Sequence, residues 1–180
     1  EEGGTVGAAN IILLVTVLSW VFYRQYTAFT FNTLRVETLN ILTEASSILI
    51  PVLLWCICNW ALTTLMEGKG TFRDIYIATA YALTPLPLVF VPVTLISHFL
   101  TQPEGAFIQL AVWIAVVWMV GLIYVGTMIT HEYSGPKTLI TSVSTVAGIA
   151  VVLFILLLFT SLVNQVIGFI YKIYLELVFR

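Results

Sequence analysis

The chain alternates between long apolar stretches and short polar interruptions, and the stretches outrun what a water-soluble core requires. Residues 6–23 carry no charge and end at Trp20 and Tyr23, just before Arg24. The connection QYTAFTFNTLRVETLNILTEAS follows, too charged at Arg35, Glu37 and Glu44 to sit in hydrocarbon; as the longest loop, it has room for a helix lying on the surface. A second apolar run covers 47–66, with Pro51 in the first turn or two, where a missing backbone donor costs least, and stops at Glu67-Gly68-Lys69-Gly70. A third covers 75–100 and opens on Thr71-Phe72-Arg73-Asp74, whose T-x-x-D spacing predicts a helix capped by Thr71. The fourth, 106–130, is uncharged until His131 and Glu132. After HEYSGPK a fifth stretch runs from Leu139 past Ile170. About 20 residues cross a hydrocarbon layer of about 30 Å. The pattern therefore predicts an all-α integral membrane bundle of five transmembrane helices, the fifth ending near Val163. Its remainder, with Lys172, Glu176 and Arg180 spaced by fours, is expected at the interface.

Composition agrees with lipid as the solvent. Hydrophobic residues make up 60% and charged residues 9%, with a mean hydropathy of +1.05, against about 45–50% and about 25% for soluble domains. Five spans with short connections fill 1–180 as a single domain. The net charge of -2 leaves no basic footprint for nucleic acid. Lys69, Arg73 and Lys137 fall on one side and Arg24, Arg35, Lys172 and Arg180 on the other, so positive charge does not orient the bundle. The opening Glu1-Glu2-Gly3-Gly4, with no Met and no basic region, is unlike a signal peptide and reads as the end of a trimmed or cleaved upstream segment. Cys56 and Cys58 point about 200° apart on a helix, cannot pair, and read as inert core residues.

Several residues stand out within this frame. Pro51, Trp55, Asn59 and Thr63 share one helical face, and Asn59, near the bilayer centre, is expected to face protein because an amide in lipid needs a partner. Thr141, Ser144, Thr145 and Gly148 put small residues on one side of the fifth span, a close helix-packing face. Pro85, Pro87 and Pro92 remove three backbone donors and predict a kinked third helix near Thr84 to Pro87. At Gly68, Lys69, Gly70 and Arg73, two glycines free the backbone to turn tightly at the positive end of the third helix. Exposed amides and two cations there would suit a headgroup phosphate or an acidic patch on a partner.

Enzyme chemistry finds no foothold. No Asp, Glu, Lys or Arg lies inside a span, which also argues against a proton relay. HEYSG lacks the second His of H-E-x-x-H, EGKGT lacks the leading Gly of a P-loop, and neither a G-x-S-x-G elbow nor a spaced carboxylate pair in one cleft is found. No catalytic residue, metal or cofactor is expected.

The segment CNWALTTLMEGKGTFRDIYIATAYALTPLPL, EGAF (Glu104 to Phe107), the M-x-x-H-x-Y pattern of Met128, His131 and Tyr133, GPKTLIT and the closing IYLELVFR together resemble the Yip (Ypt-interacting protein) membrane-domain family, in its bacterial branch. The resemblance implies a five-span bundle in the cell membrane with its N-terminus in the cytoplasm. Glu67 to Asp74 and His131 to Lys137 would then be cytoplasmic and the tail outside. Eukaryotic relatives act in vesicle traffic by binding small GTPases and other membrane proteins. The expected function is accordingly a non-enzymatic scaffold or accessory subunit that contacts membrane lipids and binds another membrane protein or itself. The alternative is a small transporter or lipid-handling protein with a midplane site at Asn59 and the proline-broken third helix.

Overall fold

The computed structural model describes residues 4–32 and 39–179. Glu1 to Gly3, Arg35, Glu37 and Arg180 lie outside the described residues, as does the middle of the long connection. The described chain folds into α1 (Val6–Tyr26), α2 (Ile41–Leu65), α3 (Phe72–Ala82), α4 (Pro85–Ile96), α5 (Gly105–His131) and α6 (Gly135–Val178). Among these residues no strand occurs. With α3 and α4 forming one span, five helical segments among the described residues are long and apolar enough to cross a membrane.

The second helix begins earlier than the charge pattern suggests. Asn40 caps it by accepting from the Leu42 N–H at 2.9 Å, which draws Glu44 into the first turn and leaves Pro51 well inside the helix. Glu44 is tolerated there because it has partners. Its carboxylate accepts from Trp20 Nε1 at 2.9 Å and from Arg24 Nε at 3.3 Å, while the Arg24 guanidinium lies 5.5 Å from the Trp20 ring centroid. The clamp ties the end of α1 to the start of α2 on one side of the membrane.

Thr71 caps α3 as the T-x-x-D spacing predicts: its hydroxyl accepts from the Asp74 N–H at 3.4 Å, and Asp74 Oδ2 accepts from the Thr71 N–H at 3.0 Å. The third span then bends by 26°. Pro85 and Pro87 cannot donate to Tyr81 and Leu83, and the structure supplies substitutes. The Tyr81 carbonyl accepts from the Thr84 hydroxyl at 2.6 Å and the Thr84 N–H at 3.2 Å, and the Leu83 carbonyl accepts from the Leu86 N–H at 3.0 Å. A proline kink in a membrane persists when the freed carbonyls find such partners.

The interior is the reverse of a soluble core. Leu, Ile and Val side chains are widely exposed to what would be lipid, whereas Thr16, Thr63, Thr79, Thr94, Thr138, Thr141 and Thr145 are buried between helices. Lipid gives no hydrophobic push between helices, so small residues that permit close approach take the contacts. Each hydroxyl is satisfied within its own helix, as in Thr79 to the Ile75 carbonyl at 2.7 Å and Thr94 to the Phe90 carbonyl at 2.7 Å. The apolar core proper surrounds the kink, where Val52, Cys56, Ile75, Leu83, Leu86, Phe90 and Ala115 meet Trp20 and Tyr23. Cys56 and Cys58 are buried and unpaired.

α6 packs against α2 and α5 near its N-terminus. The helix itself runs past Val163, where the membrane span is expected to end, and continues unbroken to Val178 as one helix of 44 residues. Nothing in FTSLVNQVIGFIYKIYLELV breaks a helix, since one glycine and no proline fall there.

Candidate functional site

The two turns that join α2 to α3 and α5 to α6 meet on one side of the bundle. Both helices stop in the same way. Glu67 (φ 57) and Glu132 (φ 54) adopt the left-handed conformation, and the N–H one residue further on reaches back five residues, Gly68 to the Thr63 carbonyl at 2.8 Å and Tyr133 to the Met128 carbonyl at 3.0 Å. The glycines of the first turn therefore do not supply the left-handed residue; among the described glycines none has positive φ. They are required by space. A Cβ on Gly68 would lie 2.6 Å from His131 Nδ1 and 2.8 Å from the Tyr133 hydroxyl, and one on Gly70 would lie 2.9 Å from His131 Cε1.

What fills that space is His131, at the last position of α5 and only 1% exposed. The Gly70 N–H donates to its Nδ1 at 3.3 Å, which fixes the proton on Nε2, and Nε2 donates to Asn59 Oδ1 at 3.1 Å. The Asn59 amide then donates to Thr145 Oγ1 at 3.4 Å, and the Thr145 hydroxyl donates to the Thr141 carbonyl at 2.8 Å. One directed chain of hydrogen bonds thus runs from the first turn through α5 and α2 into α6. Tyr133 stacks on His131 with ring centroids 5.3 Å apart and donates to the Met66 carbonyl at 3.0 Å. Burial raises its phenol above the usual tyrosine range, and the Glu67 carboxylate adds to the rise, so it remains a donor. A cavity of about 10 Å³ between Asn59, Thr79, Thr127 and His131 is at the lower limit for one water molecule.

Around this buried chain lies a charged rim. Lys69 pairs with Glu132 across the two turns, Arg73 is exposed, and Lys137 Nζ sits 4.2 Å from the Tyr133 ring centroid. The amide donors that the sequence suggests would face an anion are largely spent inside: Gly68 on Thr63, Gly70 on His131, Thr71 on Asp74. Lys69, Arg73 and Lys137 are the cations this face presents.

Asn59, Thr141 and Thr145 are buried, and Ser144 and Gly148 are half-buried. Gly148 faces α2, where an added Cβ would meet Leu62 Cδ1 at 3.6 Å and Cys58 Cβ at 3.9 Å. Those are ordinary contact distances. Gly148→Ala should accordingly leave the detergent melting temperature at or above that of the parent, while Gly148→Ile, whose branches must displace α2, should lower stability by about 1–3 kcal/mol. An isoleucine variant melting like the parent would mean that the helices can part there without cost.

Sequence reasoning missed His131 as the centre of this arrangement. The available signals were the M-x-x-H-x-Y pattern and the unsatisfied need of Asn59 for a partner. Pro85, Leu86 and Phe90 are buried, and among the described residues the kink they form is packed by apolar side chains.

Fold and site together define a multi-pass, all-α membrane protein. The Yip1 domain matches residues 2–159, and the chain belongs to that family. The match concerns the domain as a whole, does not separate a bacterial branch, and stops short of the closing IYLELVFR. No curated protein and no solved structure matches the chain.

Proposed function

We propose that the protein is a non-enzymatic membrane scaffold or accessory subunit that binds another membrane protein through its paired turns. The supporting observation is the hydrogen-bond chain Gly70–His131–Asn59–Thr145, which holds two separate turns as one rigid surface without forming a catalytic cleft. Gly68 and Gly70 shape that surface, and Lys69 and Arg73 present its charge to an acidic patch on the partner. The apolar filling of the kink at Pro85 favours this reading over the transporter alternative for a polar solute, which needs a polar path there. In the proposed setting the paired turns and the N-terminus face the cytoplasm.

Crosslinking in native membranes tests the proposal. A partner captured at constant stoichiometry by the wild type should be lost from Lys69→Glu/Arg73→Glu. The bundle should stay folded, because the exposed Lys69–Glu132 pair is worth about 0–1 kcal/mol. Retention of the partner by a folded double variant would sink the assignment of this face.

A further inference from the structure

The setting of His131 suits one protonation state of its ring. Nδ1 accepts from the Gly70 N–H at 3.3 Å and Nε2 donates to Asn59 Oδ1 at 3.1 Å, so the ring carries a single proton. A second proton would go on Nδ1, and two N–H groups would then face each other across 3.3 Å. Turning the ring over brings no relief, because both nitrogens of an imidazolium donate.

The surroundings leave a charged ring little room and little company. It packs directly on the backbone of the first turn, where a Cβ on Gly68 would stand 2.6 Å from Nδ1. The cavity of about 10 Å³ beside it holds at most one water, too little to hydrate a cation. From α2 the ring meets the neutral Asn59, and the cavity walls add Thr79 of α3 with Thr127 and Thr130 of α5. From the second turn Tyr133 stacks on it as a neutral phenol. On the rim, Lys69 is paired with Glu132, Lys137 lies over the Tyr133 ring, and Glu67 and Arg73 are exposed. Asp74, at the start of α3, is the carboxylate whose charge reaches the ring. It attracts a proton there, but its Oδ2 is already bonded to the Thr71 N–H at 3.0 Å and the Thr71 hydroxyl at 2.6 Å.

We propose that the paired turns form an acid-released joint, closed while His131 carries one proton and opened when it takes a second. The closed joint binds one proton fewer than the open one. Its stability is therefore fully present at high pH and is lost as pH falls through the titration of the ring. The consequence for binding rests on the reading of the paired turns as the partner face: acid separates the two halves of that face and releases the partner.

The test uses the full chain with isotope-labelled histidine in phosphatidylcholine nanodiscs, from about pH 8 to about pH 5, a window spanning the ordinary imidazole value of about 6.5. The chain has two histidines, and His98→Gln leaves His131 as the sole imidazole signal in nitrogen NMR. Nitroxides on Lys69→Cys and Glu132→Cys, exposed neighbours on the two turns, report closure by dipolar broadening, while the native Cys56 and Cys58 are buried. At the alkaline end the ring should be the Nε2–H tautomer and the spectrum broadened. On acidification the imidazolium signal should appear and the broadening vanish with one midpoint. Imidazolium formed with the broadening intact would overturn the proposal, and so would a neutral ring with closed turns throughout the window. Broadening lost while the ring stays neutral would assign the opening to a carboxylate and overturn it equally. Crosslinking of the partner is read separately at both ends of the window: a partner retained by an open joint would sink the partner-face reading and leave the joint standing.

Discussion

Replacing His131 by leucine should be among the most destabilising single changes in this chain, although the substitution adds apolar bulk to a membrane protein. The leucine cannot accept from the Gly70 N–H or donate to Asn59 Oδ1, bonds of 3.3 and 3.1 Å in the native protein. The buried Asn59 Oδ1 would be stranded at about 1–3 kcal/mol, and the half-buried Gly70 N–H would lose its acceptor as well. The α2–α3 and α5–α6 turns would also lose the group that joins them. Detergent melting should therefore fall sharply, and proteolysis should open at Glu67 to Thr71 before the bundle unfolds. Asn59→Leu alone strands the Nε2 donor of His131. The double variant should be less destabilised than the sum of the two singles, because the lost bond is then counted once. Strict additivity would show that the two residues are not coupled and that the chain of bonds is incidental.

Gly70→Val should be comparably severe for a different reason. The backbone at Gly70 does not need φ above zero, so glycine is not there for conformational freedom. A Cβ would stand 2.5 Å from Thr130 Cγ2 and 3.0 Å from the Thr130 carbonyl oxygen. The carbonyl belongs to the last turn of α5 and cannot swing away, so α5 and the turn must separate, which costs about 1–3 kcal/mol or more and breaks the Gly70–His131 bond as well. Gly121→Ala provides the contrast. Nothing lies within 4 Å of a Cβ there, and alanine in a helix is favoured over glycine by roughly 0.5–1 kcal/mol. Melting curves should show the first variant well below the parent and the second at or above it. Equal melting of Gly70→Val and the parent would mean that the two turns do not touch in the membrane.

The protein's place in the membrane is written in the order of its residues. A span must be a continuous apolar run because hydrocarbon offers no partner to a stray charge, so the five runs can be counted along the chain itself. The Thr71 cap and the bend at Pro85 and Pro87 are equally legible, since each depends on residues within a few positions of one another. Helix ends that depend on a remote partner are not. The Asn40 cap that starts α2 is local, but Glu44 is tolerated in its first turn because Trp20 and Arg24 from α1 donate to it, and no local rule foretells that pairing.

The site shows the same division more sharply. Gly68 and Gly70 invite a reading in terms of backbone freedom, yet the left-handed residues are Glu67 and Glu132, and the glycines make room for a histidine about sixty positions further along. His131 looks like half of a metal motif in the sequence because its real partners, Asn59 and Gly70, come from other elements. Sequence alone determined which segments enter lipid and which residues are small or polar enough to pack there. Only the tertiary structure decided which polar groups satisfy one another, because a buried donor takes whichever acceptor the helix packing brings within about 3 Å, regardless of distance along the chain.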